Sequence, residues 1–363
     1  RVKHLSGTLS FEWKDSGEWK NIHSVTLPDN SETVHTGLHL ANPNFQQTVG
    51  VAFDYAMLID PSLVSPYRGK LRISEISYDP VGGGDHEFIE LINISDADIE
   101  LEGLRLIDGA PVDEFTFGPK TLGAGQRIVV AKNKAAFLNL YGQALATSVA
   151  GEWGGGNLNN GGENITLLDK DGNLILSFSY SNENEWPGRA NGKGSTLEII
   201  EPAGDLENPE NWRSSTEYNG SPGTAGSGHV ARVLINEILA HTDPPDLDAI
   251  ELYNPTESNI DISHWYITDS SDNWQKFRIP SGTVLGAGQY LNFNERDFNP
   301  NGLWNPVAET RTANEFTFSS QGDDAWLVEG DAEGKIFEFA DRVSFEASLT
   351  GVTIGRHLNS QNE

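Results

Sequence analysis

Apolar and polar positions alternate in short runs over most of the chain, the period-two pattern of half-buried β-strands. One set of runs occurs twice in the same order. The first copy spans residues 71–133 and the second 233–294. Each opens on a short apolar strand that holds a glutamate, ISEIS at 73–77 and INEIL at 235–239, with Glu75 and Glu237 at matching places. Each crosses an acidic loop rich in Gly or Pro into a second strand, EFIELIN at 87–93 and DAIELYN at 248–254. A third run follows, IELEGLRLID at 99–108 and IDISHWYITD at 260–269, and then an identical LGAGQ turn at 122–126 and 285–289. Glu90 matches Glu251, Asn93 matches Asn254 and Asp108 matches Asp269, each 161 positions on. The LGAGQ turns lie 163 apart, so the loop before the second is two residues longer. In EFIELIN, Ile89 and Leu91 share one face, while Phe88, Glu90 and Ile92 share the other. Ile250 and Leu252 match the first face, which is assigned to the core, where each buried side chain contributes roughly 1.5–3 kcal/mol.

Helical periodicity is nearly absent. The exception is residues 133–142, where Ala136, Phe137, Leu140 and Tyr141 fall on one helix face, with Asn133 as N-cap and Gly142 as stop. After it comes a glycine-rich loop at 151–163, then NITLLD and LILSFSY joined by KDGN at 170–173, whose Asp-Gly suits a tight hairpin. FTFSSQGDDAWLVE at 316–329 and GVTIGRH at 351–357 parallel NNGGENITLLD and GSTLEII of the first copy. A repeat of this length means tandem domains, not a solenoid. Residues 1–69 read as a β segment with its linker: LSFEW and IHSVTL alternate, TVGVAFDYAML at 48–58 is a strong strand, and 60–70 has linker composition. The first module spans 70–228 and the second 229–363, with a last strand expected to be cut short because no NW…SPG tail follows it. The expectation is a mature or trimmed piece of something longer, since no signal peptide opens the chain and its first residue is Arg1.

Gly 38 and Pro 17 among 363 residues suit many short strands and tight turns. The formal net charge of -29 repels nucleic-acid phosphate and anionic lipid, so neither is expected as a partner. It suits an acidic coat in a saline or extracellular setting, and it favours cations. Cys 0 excludes disulfides and thiolate metal sites. No apolar run reaches the roughly 18 residues of a spanning helix, so no membrane insertion is expected.

Five motifs recur in order: the two glutamate strands, LGAGQ with the strand after it, NNGGENITLLDKDGN against SSQGDDAWLVE, and GSTLEII against VTIGRH; the first copy adds NWRSSTEYNGSPG. This succession resembles the lamin-tail domain, an immunoglobulin-like β-sandwich found in nuclear lamins and in secreted bacterial proteins. The resemblance covers most of residues 71–363 and implies an all-β fold of two tandem sandwiches. It also implies a mostly non-catalytic role. Residues 1–69 resemble the closing strands of a concanavalin- or laminin-G-like lectin sandwich.

Candidate chemistry is sparse. Glu75 with Glu90, and Glu237 with Glu251, sit on successive strands, as an acid/base couple or a cation site would. A pair that recurs in both copies fits a structural duty better. His86 to Glu90 mimics a zinc helix, but the stretch reads as strand and Leu247 replaces His86 in the second copy. Asp79 and Asp85 in one acidic loop, and Asp243, Asp246 and Asp248 in its counterpart, are candidate calcium ligands. Asp169, Asp171 and Asn173 begin like a calcium loop, but the hairpin reading is preferred there. Trp153, Trp274 and Trp304 sit in polar loops as candidate contacts for sugars or proteins. No nucleophile elbow or phosphate loop is present. The expected function is a non-catalytic structural or adhesive segment of a larger secreted or cell-surface bacterial protein. Its expected partners are proteins or polysaccharides, with self-assembly through sheet edges as a further route. The alternative is a carbohydrate-binding accessory region of a large secreted hydrolase or nuclease.

Overall fold

The alternating runs become strands of two successive sandwiches in the computed structural model. It describes strand backbones within residues 2–26, and residues 65–357 apart from 109–112, 154, 229–231, 244 and 301–311. The chain divides into two compact units, 1–62 and 63–363. In the first, β1 (Val2–Leu5), β2 (Thr8–Asp15) and β3 (Glu18–Thr26) form an antiparallel sheet in sequence order. The lectin-like strand expected at 48–58 lies outside the described residues.

The second unit contains both copies of the repeat. The first copy supplies β4 (Leu71–Ser77), β5 (Phe88–Asn93), β6 (Ile99–Glu100), β7 (Arg105–Asp108), β8 (Asp113–Thr116) and β9 (Thr121–Leu122). It continues with β10 (Arg127–Ala131), α1 (Lys134–Tyr141), β11 (Val149–Glu152), β12 (Asn164–Leu168), β13 (Leu174–Ser179), β14 (Leu197–Ile199) and β15 (Trp212–Ser214). One sheet has the order β11-β10-β5-β4-β14-β15 and the other β13-β12-β7-β8, while β6 pairs with β9. Ile76, Leu91 and Ile128 of the first sheet meet Leu106, Leu167 and Phe178 of the second in one core. Trp212 stacks on Phe178 with centroids 5.5 Å apart, closing the end of that core.

The second copy supplies β16 (Leu234–Leu239), β17 (Ala249–Tyr253), β18 (Ile260–Asp261), β19 (Tyr266–Thr268), β20 (Phe277–Arg278), β21 (Val284–Leu285) and β22 (Tyr290–Asn294). The single turn α2 (Glu295–Phe298), β23 (Gly322–Gly330), β24 (Ile336–Glu346) and β25 (Ile354–Gly355) follow. Its sheets run β22-β17-β16-β25 and β20-β19-β23-β24, with β18 beside β21. This is the order of the first sandwich, without strands in the places of β11 and β15 among the described residues.

The shared motifs have visible causes. Asn93 and Asn254 are both 0% exposed, and each staples the LGAGQ turn to the end of its strand. Asn93 Nδ2 donates to the Ala97 and Leu122 carbonyls at 2.8 and 2.9 Å, and Asn254 Nδ2 to those of Ser258 and Leu285 at 2.7 and 3.0 Å. The KDGN hairpin forms as expected. Asp169 Oδ1 accepts the amides of Asp171 and Asn173 at 3.0 and 2.8 Å, and Gly172 has φ 85°. That carboxylate is engaged by its own turn. Asn133 caps α1, accepting from the Ala136 amide at 3.0 Å, and Gly142 ends it at φ 98°.

Strand β5 departs from the one-faced reading, because all six of its residues are buried. Ile89 and Leu91 face the core, and Phe88 lies under α1 with Phe137 and Leu138. The tail after β15 reaches Glu90 on that outer face through the Gly223 amide. Tyr141 Oη donates to the Asn219 carbonyl at 2.6 Å, tying helix and tail together.

The same tail joins the two sandwiches. The Tyr218 amide donates to the Phe337 carbonyl at 2.7 Å and the Phe339 amide to the Thr216 carbonyl at 2.8 Å, an antiparallel bridge onto the edge of β24. A separate apolar cluster of Tyr266, Trp274, Trp326, Val328 and Phe339 packs with Tyr218 of the first sandwich. The two copies are one body, not beads on a string.

Candidate functional site

Strand register brings glutamates side by side. Glu90 on β5 faces Glu75 on β4, and Glu75 faces Glu198 on β14. Arg127 of β10 lies at one end of this row and Arg213 of β15 at the other. Arg127 Nε is 3.0 Å from Glu90 Oε1, an ion pair whose N–H is not aimed as a hydrogen bond. Arg213 Nε donates to Glu198 Oε2 at 3.0 Å. The three glutamates are only 1–3% exposed and line a cavity of about 250 Å³.

Hydroxyls, the tail's backbone and Arg213 hold five of their six oxygens, while Glu75 Oε2 is buried without a hydrogen-bond partner. Glu75 Oε1 accepts from Thr196 Oγ1 at 2.6 Å and from the Ser221 amide at 2.9 Å. Glu90 Oε1 accepts from Ser74 Oγ at 2.6 Å, and its Oε2 from the Gly223 amide at 2.5 Å. Glu198 Oε1 accepts from Ser221 Oγ at 2.7 Å. A Cβ at Gly220, where φ is +91°, would run into Glu75 Oε1, so the tail approaches that carboxyl as bare backbone. Burial satisfied by hydrogen bonds is what lets such groups sit inside. The row is a receiver for the tail.

Burial, then the charges of Glu90 and Glu198, raises the Glu75 carboxyl well above its ordinary range. Burial pushes Glu90 up to about 7, against the opposing pull of Ser74, Gly223 and Arg127. A carboxyl raised on folding stabilises fully below its unfolded value near 4.3, and that contribution is lost as pH climbs through 7. Glu90→Gln removes the titration and keeps the shape. Between pH 5 and 8 wild-type stability should therefore fall by about 2 kcal/mol relative to Glu90→Gln. Urea midpoints at three pH values measure this, and parallel curves for the two proteins would show that Glu90 titrates as an exposed carboxylate.

The pair in the second copy is different. Glu237 and Glu251 face each other in register, yet both are half-exposed and no tail covers them among the described residues. Glu251 accepts from Asn236 Nδ2 at 2.8 Å. Sequence reasoning found both pairs but missed Glu198, Arg213 and the tail's donors. The signal was the run of Ser and Gly amides in SSTEYNGSPGTAG, which calls for acceptors nearby.

The remaining candidates fall apart in space. His86 lies in a 3-10 turn, Gly84–His86, just before β5 and not in the strand. Among the described residues no three His, Asp or Glu side chains gather where a metal ion could sit. Asp79 Oδ1 accepts from Asn160 at 2.7 Å and Asp248 Oδ1 from Thr242 at 2.9 Å, while Asp85, Asp243 and Asp246 are exposed and do not converge with them. The calcium reading of these loops therefore finds no ligand set. Trp153 and Trp274, expected as contact platforms in polar loops, are buried at 5% and 7% exposure. Trp153 joins the first core, because its loop folds inward beside β10. Trp274 lies between the sandwiches, its Nε1 donating to the Lys193 carbonyl at 3.0 Å. Trp304 lies outside the described residues.

No curated protein matches the chain. Among solved structures, one of the exo-β-D-glucosaminidase CsxA with castanospermine and australine analogues is 12% identical over 76% of this chain and 26% of that one, with a TM-score of 0.18. The exo-chitosanase CsxA of Amycolatopsis orientalis in complex with PNP-β-D-glucosamine is 11% identical over 77% of this chain and 26% of that one, also at 0.18. The chain thus spans about a quarter of those enzymes' length, and a likeness of that size says nothing of shared activity. The lamin tail domain model matches residues 65–182 and again 227–347. Strands β14 and β15 lie beyond the first of these spans and complete its sandwich. With both matches falling on the two sandwiches, in the order that the repeat set out, the chain belongs to the lamin tail domain family as a tandem pair of immunoglobulin-like modules.

Proposed function

We propose that this chain is a non-catalytic structural and contact segment of a secreted or cell-surface bacterial protein, a rigid two-sandwich block that presents an acidic surface to proteins or polysaccharides. The observation that carries the reading is the row of Glu75, Glu90 and Glu198. Its oxygens receive the tail's amides and neighbouring hydroxyls, and the tail in turn docks the second sandwich. An acid/base pair needs a reacting atom within hydrogen-bond reach, and here protein donors occupy every carboxylate oxygen of the row except Glu75 Oε2. The carbohydrate-accessory alternative rests on the lectin-like start and on the tryptophan loops, and burial of Trp153 and Trp274 takes away two of its three candidate platforms.

The test has two arms. Incubation with polysaccharides, phosphoesters and DNA should give no turnover. Small-angle scattering should fit the two sandwiches of residues 63–363 in one fixed arrangement, and protein and glycan arrays should reveal contacts. Turnover that disappears in Glu75→Gln would overturn the non-catalytic part. A scattering profile that needs the two sandwiches to hinge freely against each other would overturn the block.

A further inference from the structure

The contact between the sandwiches leaves a cavity of about 500 Å³. Four arginines line it, Arg189 and Arg213 from the first sandwich and Arg342 and Arg356 from the second, against one carboxylate, Asp341. The chain holds 24 Lys and Arg against 53 Asp and Glu, so this gathering runs against its composition.

Three of the guanidinium groups have carboxylate partners. Arg213 pairs with Glu198 at 3.0 Å, Arg342 with Asp324 at 2.9 Å and Arg356 with Asp341 at 2.9 Å. Arg189 has none among the described residues. Its Nε donates to Ser195 Oγ at 3.1 Å and its Nη2 to the Ser215 carbonyl at 2.9 Å. Its Cζ sits 4.5 Å from the Phe339 ring centroid and 5.4 Å from that of Trp326. Burial, then the charge of Arg342, pulls the Arg189 guanidinium down to about 10, the mark of a cation short of counter-charge. None of the four donates from Nη1 to an acceptor among the described residues. A cation in this state, with unused planar donors around it, is matched by an oxygen anion. The volume lies within the ~300–1,000 Å³ of small-ligand pockets. The repulsion of the acidic coat is screened beyond about 8 Å at physiological salt, so the arginines govern the cavity itself.

We propose that the cavity between the sandwiches binds an oxyanion group, a carboxylate, sulfate or phosphate, carried by a small molecule or by an acidic polysaccharide. Arg189 supplies the uncompensated charge. The other three arginines supply directed N–H donors. The site exists only while the two modules stay docked, because each contributes two of the four. It goes beyond the scaffold reading, and a cavity that binds nothing would leave that reading intact.

The experiment is titration calorimetry at constant ionic strength, with citrate, inorganic sulfate and polygalacturonate as probes and chloride as the matched salt. At least one probe should bind at one site per chain. Affinity should drop by ~10-fold or more in both Arg189→Met and Arg342→Gln, since a charge-assisted hydrogen bond is removed in each. Methionine keeps an apolar side chain over Phe339, and circular dichroism checks the fold; if Arg189→Met fails to fold, the exposed Arg342→Gln carries the comparison. Binding of citrate or sulfate alone assigns a free ion, and tighter binding of polygalacturonate assigns a chain. The proposal is overturned if no probe binds beyond chloride, or if the folded variants bind as well as wild type.

Discussion

Replacing Trp274 with alanine should cost about 3–5 kcal/mol, the range for a large aromatic removed from a packed site. The ring meets Trp326 and Phe339 edge-on, with centroids 5.0 and 4.9 Å apart, and is 7% exposed. Its Nε1 reaches across to Lys193, so the loss falls on the contact between modules as well as on the second module. Tyr218 of the first sandwich touches the same Phe339 ring, at 5.9 Å. Trp274→Ala and Tyr218→Ala should therefore be non-additive, coupled by about 0.5 kcal/mol or more. Urea unfolding followed by fluorescence would give both numbers. A single-variant loss below about 1 kcal/mol, or strict additivity, would show that this cluster does not join the sandwiches.

Gly162→Ala should be nearly as damaging. Gly162 has φ +114°, and a Cβ there would run into the Tyr180 carbonyl oxygen, with Ser181 Cα 2.8 Å away. Both obstacles are backbone, so no side chain can swing aside. Strain at a glycine-only conformation plus that clash should cost about 3 kcal/mol or more. The melting temperature should fall by roughly 6–12 °C, scaling from 2–4 °C per kcal/mol for a domain of this size. The matching Gly322, at φ +112°, has its nearest obstacle at 2.9 Å, the Phe345 carbonyl oxygen, so Gly322→Ala should cost less. A melt of Gly162→Ala within 2 °C of wild type, or the reverse ranking, would refute the steric account.

Much of this molecule can be read from its residues because its causes are local or repeated. The strands alternate, KDGN folds on its own Asp169, and Asn133 and Gly142 mark the helix ends. The duplicated Glu, Asn and Gly positions identify the module twice. Partners distant in sequence stay hidden. Glu75 bonds Ser221, 146 residues on, and Trp274 bonds Lys193, 81 residues back. Trp274 therefore reads as exposed, because nothing in its own loop covers it. Phe88 and Glu90 fall on the face not assigned to the core for the same reason, since their cover comes from α1 and the tail. The glutamate pairs were legible as pairs. Their duty was not, because it depends on a third strand and on backbone donors that leave no side-chain mark.

The bridge from Thr216 and Tyr218 onto β24 also bears on how such chains avoid clumping. An open sheet rim is a template for any passing strand. Here the preceding module shields part of its neighbour's rim with its own main chain, so protection is inherited along the polypeptide instead of being written into each copy. Cut free of its predecessor, the second copy would bare that stretch of main chain and the rings beside it, and its natural failure would be to stick to its own kind.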